Sequence, residues 1–173
     1  MYIIGNGFDL YHGRNSSYKD FKKFLAIKNP EVLEKLEDYL GGKSLWSDFE
    51  EALARLDTEK IVEECENYLQ SYSVEDWKDS YNHDYQYEIN KRIDLITEEM
   101  RKLFTEWVLQ IQLTEEAYTK KIYLYNNSVF LSFNYTNTLE KLYKVQAKNI
   151  LYIHNKATNN KSTLILYRVS TMT

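Results

Sequence analysis

The apolar residues of this chain change their period twice, and those changes restrict what it can build. Tyr2-Ile3-Ile4 is a short apolar run that breaks at once into Gly5-Asn6-Gly7. From Tyr18 to Leu113 apolar positions recur every three or four residues, the spacing of amphipathic helices. Beyond Asn126-Asn127, the run Ser128-Val129-Phe130-Leu131-Ser132-Phe133 is β-branched and nearly continuously apolar, and Asn149-Ile150-Leu151-Tyr152-Ile153-His154 is similar. Such runs suit strands covered on both faces, as in a parallel sheet. The order is strand, turn and helix, then a long helical stretch, then strand, helix and strand. It predicts an α/β fold: a parallel sheet drawn from residues 1–28 and 126–173, interrupted by an all-helical insertion over about 30–125, in a single domain.

Punctuation places the helices. Gly13 stops a short helix from Phe8 to His12. Ser17 with Asp20 reads as a capping box before Tyr18, Phe21, Phe24 and Leu25. Asn29-Pro30 opens the next helix and Gly41-Gly42 closes it. Ser47 with Glu50 reads as a second capping box, for a helix from Asp48 to Leu56, and Thr58 to Tyr72 reads as another. From about Val74 to Leu113 the repeat runs through Trp77, Tyr81 and Tyr85 to Trp107 and Ile111 without glycine or proline. This predicts one long helix or two joined by a kink. Thr136 to Val145 reads as a short helix and Thr163 to Val169 as a last strand.

Composition excludes several classes. A net charge of −4 argues against a basic nucleic-acid-binding surface. No apolar stretch approaches a membrane span, and the first residues lack the basic and apolar regions of an export signal. The single cysteine, Cys65, rules out an internal disulfide and fits a reducing cytoplasm. Three scattered histidines and that cysteine make no metal-binding spacing. No lysine follows the glycine turn as it would in a Walker loop.

In open parallel sheets ligands bind at the carboxyl ends of strands. Three strand ends carry polar groups here: Gly5-Asn6-Gly7-Phe8-Asp9, Ser132-Phe133-Asn134-Tyr135-Thr136, and His154-Asn155. Asn134 has donors and an acceptor for a ribose or amide, and His154 can serve as a general base near neutral pH. Plainer roles fit the same residues. Asn134 and Thr136 can cap the next helix, Asp9 suits a first helical turn, and His154 can be structural.

Taken together, Gly5-Asn6-Gly7-Phe8-Asp9-Leu10 with His12-Gly13, Ser17-Tyr18 and Asp20-Phe21, then Trp46-Ser47-Asp48-Phe49-Glu50, then Ser132 to Glu140 and Ile153-His154, resemble the AbiH family of phage abortive-infection proteins. That family is in turn distantly similar to sirtuin-like, Rossmann-like NAD-binding domains. The resemblance implies NAD or a related nucleotide as substrate or ligand, and no metal. Gly5, Asn6 and Gly7 would approach the dinucleotide, with Phe8, Asp9 and Thr136 completing the contact set. Asn134 would sit at the nicotinamide ribose and His154 would act as base in an NAD glycohydrolase. A non-catalytic nucleotide-sensing or protein-interaction module and an inactive shortened remnant stand as alternatives. The helical insertion is the expected surface for self-association or for a defence-system partner; neither nucleic acid nor membrane is expected.

Two features depart from the pattern. Thr136 stands where the sirtuin pattern has an acid. Asn155 stands where the family has glycine; if that position needs positive φ, asparagine is the next best residue. The chain also ends 19 residues after His154, which predicts a C-terminally shortened protein with an incomplete pocket.

Overall fold

The computed structural model describes residues 1–41, 45–69, 80–113, 121–125 and 127–166. It is a mixed α/β protein with one three-stranded parallel sheet, and it divides into two compact units. The first comprises residues 1–28 and 102–166; the second contains residues 29–101. The second junction therefore falls inside the long helical segment, not near residue 125.

In the first unit, β1 (Tyr2–Ile4), β2 (Phe130–Ser132) and β3 (Ile150–Tyr152) lie side by side in that order. Their register pairs Ile4 with Ser132 and Ser132 with Tyr152. The strands are shorter than the apolar runs predicted. One face is packed: Ile4, Phe130, Leu139, Tyr143 and Val145 form a core against which Tyr2, Phe8 and Ile150 pack. Among the described residues the other face is largely open: Ile3 is 67% and Leu151 60% exposed, with Leu131 half-buried between them, so the expectation of strands covered on both sides fails at the two outer strands. The continuous apolar pattern cannot distinguish a covered face from an apolar one left open.

Gly5 leads into α1 (Asn6–Tyr11), which ends at His12, and Gly13 follows at φ +75°, a conformation glycine takes without steric cost. In α2 (Tyr18–Lys28), Ser17 Oγ accepts from the Asp20 amide and donates to its carboxylate, realising the first capping box. From Lys102 onward, α7 (Met100–Leu113) packs on α2, with Phe104 and Trp107 against the fully buried Phe21. The short α8 (Thr138–Tyr143) connects β2 to β3. Residues 163–166 are irregular where a strand was predicted, and 167–169 lie outside the described residues.

In the second unit, α3 (Pro30–Leu40) begins as predicted, with Asn29 accepting from the Val32 amide. The α4 helix (Phe49–Leu53) has Asp48 at its N-cap, so Ser47 and Glu50 sit one step off capping-box spacing. The α5 helix (Thr58–Cys65) gives way to one 3-10 turn over Glu66–Tyr68 and an extended Leu69, shorter than the predicted helix. The long helix is α6 (Ser80–Asp94) joined to α7 by a π turn over Leu95–Glu99. There the Thr97 hydroxyl donates to the Ile93 carbonyl. Of the two alternatives read from sequence, one long helix or two with a kink, the described residues give one continuous helical segment interrupted by a π bulge; Trp77 lies outside the described residues.

Candidate site at the carboxyl edge of the sheet

The ladder continues past the strands: the Phe133 amide donates to Ile4 at 2.8 Å and the Ile153 amide to Ser132 at 2.9 Å. Asn6, Asn134 and His154 each follow the last residue of their strand by two positions. All three therefore leave the same edge, which spans two strand spacings, roughly 10 Å.

Asn134 is the unusual member. It is 5% exposed, and neither Oδ1 nor Nδ2 has a hydrogen-bond partner among the described residues. Its backbone amide donates to Ser132 Oγ, so the side chain is not the cap that holds this turn. Asn137 Oδ1, at the N-cap of α8, is buried without a partner as well. An orphaned buried amide costs free energy comparable to a lost hydrogen bond, so it needs an explanation.

Asp9 and Thr136 are occupied with each other. Asp9 is 1% exposed; its carboxylate accepts from the hydroxyls of Thr136 and Thr138. Burial pushes the carboxyl up, outweighing the opposite pull of the two hydroxyls, Arg14 and His12. The pair fastens α1 to the loop after β2. Phe8 turns inward, its ring 5.5 Å from that of Tyr143, and its amide donates to Gly5. Gly5, Asn6 and Gly7 are exposed, and a side chain built on either glycine would meet nothing within 4 Å. Neither is at positive φ, so neither backbone strain nor internal packing requires glycine here. Asn6 Oδ1 accepts from Ser16 Oγ at 2.6 Å.

His154 is held between the rings of Phe133 and Tyr135, with Nδ1 2.9 Å from the Ile165 carbonyl. A carbonyl only accepts, so Nδ1 carries the proton and Nε2 is the basic nitrogen. The following Asn155 has φ +64°, the left-handed conformation that a glycine-preferring position requires. Its Nδ2 donates to Thr163. His12 has a structural role, donating from Nδ1 to Phe8 and accepting at Nε2 from the Tyr143 hydroxyl.

Sequence reasoning missed Thr138, Tyr152 and Lys156. Tyr152 donates to Glu140 Oε2 at 3.1 Å, and Lys156 reaches the same oxygen at 2.6 Å. Burial, then Glu140 and the charge of Asp9, push the Tyr152 phenol far up, so it remains a donor. The alternation Asn134-Tyr135-Thr136-Asn137-Thr138 was the available signal for Thr138; Tyr152 and Lys156 had none. Among the described residues no group of three histidine, cysteine or acidic side chains could hold a metal ion. No helix there is long and apolar enough to cross a membrane.

The fold and its edge define a mixed α/β protein that keeps unpartnered amides where parallel sheets bind ligands. The family model described as bacteriophage abortive infection AbiH matches residues 1–169, and the chain belongs to that family. No curated protein and no solved structure matches it.

Proposed function

We propose that this abortive-infection protein binds a nucleotide at the carboxyl edge of its sheet, in the manner of sirtuin-like domains, with NAD as the first candidate. The observation that carries this reading is the orphaned Asn134 amide. A ribose presents hydroxyls that both donate and accept, matching a side chain with one acceptor and two donor hydrogens. Gly5-Asn6-Gly7 follows the neighbouring strand at the same edge, exposed and with nothing within 4 Å of a side chain built on either glycine, so its backbone is open to the rest of the ligand. In the hydrolytic version, His154 Nε2 takes a proton from water as its oxygen bonds to the ribose C1′. The C1′–nitrogen bond breaks, and its electron pair neutralises the departing nicotinamide ring.

The test incubates purified protein with NAD and follows nicotinamide release. Release that is lost in Asn134→Ala and His154→Ala supports hydrolysis. Absence of release, or equal release from the variants, removes the enzyme. A binding-only reading draws support from the burial of His154, 9% exposed beside the rings of Phe133 and Tyr135, which leaves its imidazole little contact with water. It predicts that NAD or ADP-ribose raises the melting temperature without turnover. No shift with any nucleotide would end both readings.

A further inference from the structure

Side chains alternate along a strand, so odd-numbered residues of all three strands share one face. Ile3, Leu131 and Leu151 form a single row across it. Val129, Phe133 and Ile153 extend that face by two residues along β2 and β3, exposed at 58%, 42% and 38%. Met1, 82% exposed, continues the row of β1. None of the seven side chains carries a charge; the terminal ammonium of Met1 sits at the start of the edge strand β1. Leu131, between Ile3 and Leu151, is half-buried; with main-chain atoms included the seven expose roughly 700 Å² per chain, which reaches the ~300–600 Å² of the largest apolar patch on a typical monomer. That area approaches the ~800 Å² per partner of a standard interface.

We propose that this face is covered by a second copy of the same chain. Parallel sheets occur almost only with both faces covered, and among the described residues this one is fully packed on the even-numbered side alone. The patch is its own complement. A two-fold axis along β2 sets Leu131 against the other copy's Leu131 and Ile3 against the other copy's Leu151. The strands of the two sheets then run in the same direction, as in aligned sheet packing. An uncharged contact also avoids like-charge repulsion between two chains of net charge −4. The area approaches what a dimer needs, and no charged side chain on the face selects a charged peptide or an anionic surface.

Sedimentation equilibrium over a concentration series tests this on the full chain. A mass of twice 20.7 kDa is expected. Ile3→Glu or Leu151→Lys places an unpaired charge in the contact and weakens the dimer ~100-fold or more. Mixing the two variants restores association, because the axis pairs position 3 with position 151. Both positions are exposed, so circular dichroism stays that of the wild type and each variant still melts cooperatively, lower than the wild type only by the stability that association adds. If either variant fails to fold, Leu131→Cys decides: its two thiols face each other across the ~10 Å between packed sheets, too far for a disulfide but within reach of a short bismaleimide, which links them into a covalent dimer, while the wild type, whose single Cys65 is buried, is not linked. A single-chain mass at every concentration, aggregates without fixed stoichiometry, or no recovery on mixing folded variants would overturn the proposal. So would absence of a cross-link in the Leu131→Cys protein, or monomeric wild type that floats with phosphatidylcholine vesicles.

Discussion

Thr136 Oγ1 lies 2.5 Å from Asp9 Oδ2, joining the loop after β2 to helix α1, 127 positions away in sequence. With Thr138 on the other oxygen, a buried carboxylate becomes the strut that positions the polar loop after β2. Thr136→Val leaves one of those oxygens without its donor and is expected to destabilise the fold by ~1–3 kcal/mol. Thr138→Val should act alike, and Thr136→Ser should be much milder. Urea denaturation of the three variants measures this; a Thr136→Val protein as stable as Thr136→Ser would remove the strut.

The same carboxyl sets a pH dependence. Asp9 holds its proton more tightly folded than unfolded, because burial dominates. Below about pH 3.9 it is protonated in both states. As pH rises above that, the unfolded chain releases the proton first, so this group's contribution to stability falls until pH passes the folded value. Asp9→Asn lacks that falling leg. Subtracting its stability curve from the wild type's should leave a difference that declines with rising pH; a flat or rising difference contradicts the assignment.

Asn134 separates stability from ligand binding. If its amide awaits a ligand, the free protein gains nothing from its polarity. Asn134→Leu has similar size and no orphaned atoms, so the unliganded protein should be unchanged or more stable by up to ~2 kcal/mol. The same variant should lose any nucleotide-induced rise in melting temperature. Calorimetry with and without NAD reads both effects. A variant destabilised without ligand would show that Asn134 serves the fold.

Much of this was legible in residues whose signals are local. Asn29, Gly13 and the Ser17–Asp20 pair act within one helical turn, and each does what its sequence suggests. Asn6, Asn134 and His154 share an edge because each lies two positions past the end of its strand and the three strands pair parallel. Partners set by tertiary packing were not legible. Nothing near Asp9 announces Thr138 as its donor, 129 positions away, or ties Tyr152 to Glu140. The open face was hidden for the opposite reason. Ile3 and Leu151 are as apolar as core residues, and apolarity does not record what covers it.

Asn155 tests how the edge is shaped after β3. At φ +64°, a side chain with Cβ is strained unless it is asparagine or a similar residue. Asn155→Ala should cost ~1–2 kcal/mol through the left-handed conformation, and it also loses the Nδ2 contact to Thr163. Asn155→Gly loses only that contact and relieves the backbone, so it should lie close to wild type. Thermal denaturation ranks the three proteins. If alanine proves as well tolerated as glycine, the backbone at this position is not left-handed in solution.

The Ser17–Asp20 cap makes an opposite pH prediction. Burial raises the Asp20 carboxyl, but the Ser17 hydroxyl, Lys23 and the local amide together bring it below its ordinary value. A carboxyl depressed in the folded state stabilises above the unfolded value, and that stability is lost as pH falls through the folded value. Ser17→Ala removes the acceptor for the Asp20 amide and the donor to its carboxylate, and should cost ~1 kcal/mol at neutral pH. The cost should shrink in acid, where Asp20 is protonated with or without Ser17. Lys23 is largely exposed, so Lys23→Ala should cost only ~0–0.5 kcal/mol and become less costly in high salt. Urea melts at neutral and acid pH distinguish the two. A Ser17→Ala penalty that persists in acid would assign the cap to the hydroxyl–amide contact alone and leave the carboxylate without a part in it.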